Sequence, residues 1–324
     1  MKNSLPTLNV SAILENRKIT STRKFQKVNV KFRKFVSFSM LISIFVWGCD
    51  SKKEKAQHYI NSANMYYAEK NFLAAEKAID SAFLLDPLNL EIKFVQSKIY
   101  DGLDQYEKSI PILRSLEKQN YKLDSVYYFL AGGYFTKGLF YTYKKADPQT
   151  EKESLETSLR YFQLSIASNS RYFLSYRGKW MVLHNLKRYD EALITVNEAL
   201  VLFPDSLDLI YSRGIEKIYL GDNWGALLDL NESINNAKLD STDLAVAYRF
   251  RGNIYFDEDS FDLALADLSQ AILQNPKDEL AYLTRAEIFK QKGLKEEACA
   301  DFRKSAELGY VAVYKEMNGY CDDY

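Results

Sequence analysis

Residues 245–278, AVAYRFRGNIYFDEDSFDLALADLSQAILQNPKD, carry two sets of small and aromatic positions at helical spacing. Tyr248, Gly252 and Tyr255 fall at i, i+4 and i+7; Ala264, Leu268 and Ala271 repeat that spacing, and Pro276 closes the unit. Each set marks one face of a helix. Small residues alternate with large ones within a set, so two such helices can approach closely and interlock. The pattern predicts an antiparallel helix pair, and the unit is about thirty-four residues long.

The frame recurs through most of the chain. Residues 56–89 supply Ala63, Tyr66, Ala75, Ile79, Ala82 and Pro87, and residues 90–123 supply Ser97, Tyr100, Ser109 and Leu113. Residues 173–206 supply Tyr176, Ala192, Val196, Ala199 and Pro204, with Trp180 where a small residue is usual. Residues 207–240 give Gly214, Ala226, Leu230 and Ser233; residues 279–312 give Ala286, Phe289, Ala298 and Phe302. A further unit opens with Asp124, Ala131 and Tyr134 but reaches Ser158, Phe162 and Ser165 only after an insertion near 137–155. This register resembles the tetratricopeptide repeat, a helix-turn-helix unit with small residues at positions 8, 20 and 27, an aromatic at 11 and often proline at 32. The resemblance implies an all-α fold, an α-solenoid of about seven repeats over residues 56–324, ending in a capping helix over 311–324. Each pair exposes an apolar face alone and buries it against its neighbour.

Composition agrees with helices joined by short turns, because 13 glycines and 6 prolines are few beside 24 tyrosines and 19 phenylalanines. Lys plus Arg equals Asp plus Glu at 43 each, so bulk charge draws the chain neither to nucleic acid nor to an anionic bilayer.

One segment stands outside the repeats. Lys31, Arg33 and Lys34 precede thirteen uncharged residues, Phe35 to Trp47, and then comes Gly48-Cys49-Asp50. Thirteen helical residues rise about 20 Å, short of a hydrocarbon core about 30 Å thick. A basic region, an apolar run and a small residue before a boundary describe an export signal. Val46-Trp47-Gly48-Cys49 resembles the lipobox of bacterial lipoproteins, with Trp47 departing from it. By that resemblance residues 1–48 are an N-terminal extension and signal peptide, Cys49 is acylated, and 49–55 form the lipidated N-terminus and a short linker. The localisation implied is the bacterial cell envelope, lipid-anchored at the outer membrane or the periplasmic face of a membrane. A buried cysteine at a core helix end and an uncleaved anchor are the alternatives. The first thirty residues show no sustained period, and a translation start at Val30 is one reading of them.

Candidate chemistry is sparse. The two histidines, His58 and His184, fall in different repeats, no G-x-S-x-G marks a nucleophile, and the glycines are isolated rather than gathered in a phosphate loop. No H-x-x-x-H or C-x-x-C spacing points to a metal. The expectation is no catalytic residue, no metal and no cofactor. Cys299 and Cys321 lie near one another in the chain, and in an oxidising compartment two such thiols tend to pair.

In the tetratricopeptide resemblance, positions 2, 5, 9 and 12 of each first helix face the concave surface. In this chain those positions supply Asn64, Tyr67, Phe94, Lys98, Tyr128, Phe135, Arg177, Met181, His184, Tyr211, Arg249, Asn253 and Phe256 as the candidate partner-binding groove. Aromatic and arginine side chains are those that most often carry binding energy, although several can equally pack on adjacent helices. Arg249 and Asn253 match two positions of a carboxylate clamp, but Thr284 stands where the next asparagine belongs. Two functions compete: a non-enzymatic, membrane-tethered scaffold for a peptide or protein partner, or an accessory outer-membrane lipoprotein capturing a nutrient or glycan.

Overall fold

The computed structural model describes residues 51–143, 148–236 and 239–321. The signal segment, Cys49 and residues 144–147 of the insertion lie outside these. Among the described residues fourteen helices follow in seven pairs. They are α1 (51–68), α2 (Phe72–Leu85), α3 (Leu90–Gly102), α4 (Tyr106–Lys118), α5 (Leu123–Tyr143), α6 (Pro148–Ser168) and α7 (Phe173–Asn185). After these come α8 (Tyr189–Leu202), α9 (Leu207–Tyr219), α10 (Asn223–Asn235), α11 (Ser241–Asp257), α12 (Phe261–Gln274), α13 (Glu279–Gln291) and α14 (Lys295–Glu307). A 3₁₀ turn, Val311–Val313, and the short α15, Tyr314–Met317, close the chain. Among the described residues there is no strand.

From α2 onward each helix packs against the next. First helices also touch first helices: α3 meets α5, α5 meets α7, α9 meets α11 and α11 meets α13, so the odd-numbered helices form one layer. The interlock falls at the small residues of the frame. Ala75, Ala82, Ala192, Ala199, Ala226, Ala264, Ala271 and Ala298 are completely buried. A Cβ added at Gly252 would stand 3.1 Å from Leu268 Cγ, tighter than ordinary contact.

Three boundaries differ from the sequence expectation. Residues 51–55, expected as linker, are helical, since Lys-Lys-Glu-Lys holds strong helix formers and no breaker. The described parts of the insertion are helical: α5 and α6 run 21 residues each and pack on each other. The C-terminal cap, expected as one helix over 311–324, is not a single helix over the described residues 311–321. Gly309, with positive φ, separates it from α14, Gly319, also with positive φ, follows the short α15, and a disulfide between Cys299 of α14 and Cys321 holds the end to the last repeat.

Two periodic devices support the stack. The turn from first to second helix places a left-handed residue at the same frame position in six repeats: Lys70, Asp104, Lys187, Gly221, Asp259 and Gly293. Only two of these are glycine, and each of the other side chains there costs about 1 kcal/mol. Ion pairs join the helices of the fifth, sixth and seventh pairs. Arg213, Arg251 and Arg285 each donate two hydrogen bonds to the aspartate sixteen residues on, Asp229, Asp267 and Asp301, at 2.6–2.9 Å. Arg251 also donates to Asn231 Oδ1 at 2.6 Å and Arg285 to Ser269 Oγ at 3.2 Å, each reaching the second helix of the preceding repeat. These guanidinium groups therefore fasten three helices at once.

Removing one partner of a buried, hydrogen-bonded pair leaves the other charge uncompensated. Arg251→Ala is expected to lower the stability of the stack by about 3 kcal/mol, whereas Arg251→Met with Asp267→Leu recovers most of that loss. Urea denaturation of the single and double variants checks both.

Candidate functional site

Two adjoining clefts open on the layer of first helices. The first lies between α3, α5 and α7, has a volume of about 270 Å³, and is lined by Asp101, Tyr128, Phe129, Gly132, Phe135, Phe162, Leu174, Arg177, Gly178 and Met181. The second, about 220 Å³, lies between α7, α9 and α11 and is lined by Arg177, Trp180, Met181, His184, Asn185, Asp208, Tyr211, Ser212 and Asp243. Arg177 and Met181 belong to both, so the clefts form one groove. Phe162 alone comes from a second helix.

Helical periodicity explains this gathering. Residues four or three apart share a face, and the layer turns the same face of each first helix inward. Tyr128, Phe135, Arg177, Met181, His184 and Tyr211 of the expected set all reach the groove. The others do not line it. Phe94 is buried in the core against the rings of Tyr121 and Phe129. Lys98 sits 4.6 Å over the Tyr67 ring, a cation–π contact within the wall, and burial holds its ammonium below the usual lysine range. Asn64 donates to the Ile60 carbonyl of its own helix at 3.1 Å, and Phe256 packs on Phe261. Arg249 donates to Asp278 Oδ2 at 2.9 Å, and Asp278 also caps the N-terminus of α13, so this arginine ties two repeats together. Asn253 Oδ1 is buried without a hydrogen-bond partner. Tyr211 lines the second cleft with an edge only, being 6% exposed, and burial raises its phenol well above the usual range.

The groove's polar groups are set by α7 and its neighbours. Arg177 pairs with Asp243 at 3.3 Å, and burial leaves the Asp243 carboxyl above its ordinary range despite that partner. Trp180 Nε1 donates to Glu216 Oε1 at 2.7 Å, and His184 Nδ1 lies 2.7 Å from the same oxygen. Glu216 is completely buried, and its Oε2 has no partner. The indole at position 8, large for its place in the frame, thus reaches across to α9 and fixes the spacing of α7 and α9.

Asp101 was absent from the expected set, yet it stands at position 12, the position that yields Phe135 and His184 in the following repeats. Gly132 stands at position 9 and Leu174 and Asp208 at position 2. The same frame reached all four, but only aromatic, basic and amide side chains drew notice. Burial, with Asp104 nearby, pushes the Asp101 carboxyl up from 3.8 to about 6, and burial with Tyr172 and Asp101 pushes Tyr128 up to about 12. Perturbed groups collected in a cleft make it a candidate functional site. Among the described residues no group of histidine, cysteine and carboxylate side chains is placed to hold a metal.

The sign of the Asp101 shift is opposite to that of a salt-bridged carboxylate. Its folded-state pKa exceeds the unfolded value, so ionisation opposes folding above about pH 6 and the cost fades as pH falls toward 4. A rise from 3.8 to about 6 corresponds to roughly 2–3 kcal/mol. Asp101→Asn is expected to exceed the natural chain in stability at pH 7 and to match it near pH 4, as read by urea denaturation across that range.

Comparison with known proteins places the repeat. Residues 280–308, which cover most of α13 and α14, match the model of the tetratricopeptide repeat. Human tetratricopeptide repeat protein 13 is 26% identical over 140 residues, 42% of this chain, and human tetratricopeptide repeat protein 6 is 26% identical over 127 residues, 39% of it. Those matches cover 15% and 23% of the human proteins, so the chain spans less than a quarter of the curated relatives it matches. A solved tetratricopeptide repeat protein from Parabacteroides merdae aligns over 81% of this chain and 97% of its own, with a TM-score of 0.58 and 16% identity, a likeness of fold. Residues 280–308 thus match the tetratricopeptide repeat, and the stack of helix pairs has the fold of a tetratricopeptide-repeat solenoid.

Proposed function

We propose that the chain is a non-enzymatic scaffold that holds a peptide or protein partner in the groove across α3, α5, α7, α9 and α11. The observation that carries this reading is the gathering of Tyr128, Phe135, Arg177, Met181 and His184 from successive repeats along one groove. An extended segment lying across the helices meets a different repeat every few residues, and rigid aromatic side chains with one arginine supply anchoring contacts.

The scaffold is tethered in the bacterial cell envelope through acylated Cys49. The basic cluster, apolar run and Gly48-Cys49 boundary support this, and so does the Cys299–Cys321 disulfide, a bond that persists in oxidising compartments. Two acyl chains anchor a protein stably, and among the described residues no helix is long and apolar enough to cross a membrane.

Both halves are testable in cells. A photo-crosslinking amino acid at Met181 is expected to capture a discrete protein partner, with Tyr128→Ala weakening the adduct several-fold. The same amino acid at Val201 or Leu273, exposed on second helices, is expected to capture none. An adduct from Val201 alone would contradict the groove. Labelled palmitate is expected to enter the natural chain and not Cys49→Ser; equal incorporation would remove the anchor.

A further inference from the structure

The cleft between α3, α5 and α7 combines an apolar wall with one carboxylate. Among the described residues no cation or hydrogen-bond donor pairs with the side chain of Asp101, and the one arginine at the cleft edge, Arg177, is engaged by Asp243. Elsewhere in the fold buried aspartates are matched: Asp229, Asp267 and Asp301 each hold an arginine. A half-buried carboxylate without a cation therefore stands out by its chemistry.

Gly132 supplies an independent sign. It lies in the middle of α5, where glycine is less favourable than alanine by about 1 kcal/mol. Packing does not demand it, because the nearest atom to an added Cβ is Asp101 Oδ1 at 3.9 Å. Other helical glycines do have a packing reason: a Cβ at Gly178 would stand 2.2 Å from Phe162, and one at Gly138 2.9 Å from Leu155. Gly132 leaves open space beside the Asp101 carboxylate.

We propose that this cleft is a subsite for a basic side chain of a bound peptide, its ammonium or guanidinium group against Asp101 and its aliphatic stem along Tyr128, Phe135 and Met181. The inference rests on the peptide-groove reading given above. Charge complementarity selects the occupant: the two clefts are lined by Asp101, Asp208 and Asp243 against one arginine, so a cation is favoured and an acidic segment opposed. Aromatic faces add to the attraction for a cation and accept its methylene stem.

The test is selection of displayed random heptapeptides on the purified full chain, beside Asp101→Asn and Gly132→Ala variants. The natural chain is expected to enrich peptides with lysine or arginine at a fixed position, and Asp101→Asn to lose that enrichment. For the leading peptide, replacing the basic residue with norleucine should weaken binding at least tenfold to the natural chain and little to Asp101→Asn. Gly132→Ala should weaken the peptide comparably without lowering the melting temperature, which separates loss of space from loss of fold. Peptides recovered without a basic position, or bound equally by Asp101→Asn, would overturn the cationic subsite and leave the groove standing. Recovery of no peptide would overturn both.

Discussion

Two helices interlock only where small side chains let their backbones approach, and the whole stack depends on this contact. Ala192 and Ala199, or Ala264 and Ala271, are completely buried because large residues of the facing helix occupy the hollow beside them. No pair buries both of its faces alone, so each repeat needs a neighbour, and regular neighbours make a layered array with its first helices on one side. The groove is a consequence of that regularity. It arises wherever the inward positions of successive first helices carry side chains that the core does not absorb.

The same constraint sorts the charges. Arg213, Arg251 and Arg285 are neutralised within the stack, and Arg249 is committed to Asp278 between repeats. Charges of this kind fix how one repeat sits on the next and are not offered to a ligand. Along the groove the balance differs: Arg177 is paired, Asp101 is not, and Glu216 is buried with one oxygen unused behind Trp180 and His184. The unpaired Asp101 carboxylate beside aromatic rings sets the groove apart from the periodic part of the fold.

The helix pairs and their register were legible because a four-residue spacing of small and large side chains has few other solutions. Inward direction was legible too, and Tyr128, Phe135, Arg177, Met181 and His184 stand in the groove. Depth was not, since a position in the frame gives the bearing of a side chain and not how far its neighbours cover it. Phe94 and Tyr128 share a bearing, yet the first is buried in the core and the second, part-exposed, lines the cleft. The left-handed turn position was hidden by its occupants, as Lys70, Asp104, Lys187 and Asp259 carry no glycine signal. The Arg–Asp staples needed three repeats to be aligned before their constant spacing became visible. Asp101 and Gly132 were within reach of the frame but outside the residue types that binding surfaces usually favour.

The central claim is that the first-helix layer, and not the second-helix face, meets the partner. Hydrogen–deuterium exchange of the full chain, with and without a saturating selected peptide, tests it most directly. Added protection is expected in α5, α7 and α9, with α8, α10 and α12 unchanged. Protection confined to the second helices or to the segment around Cys321 would contradict the account.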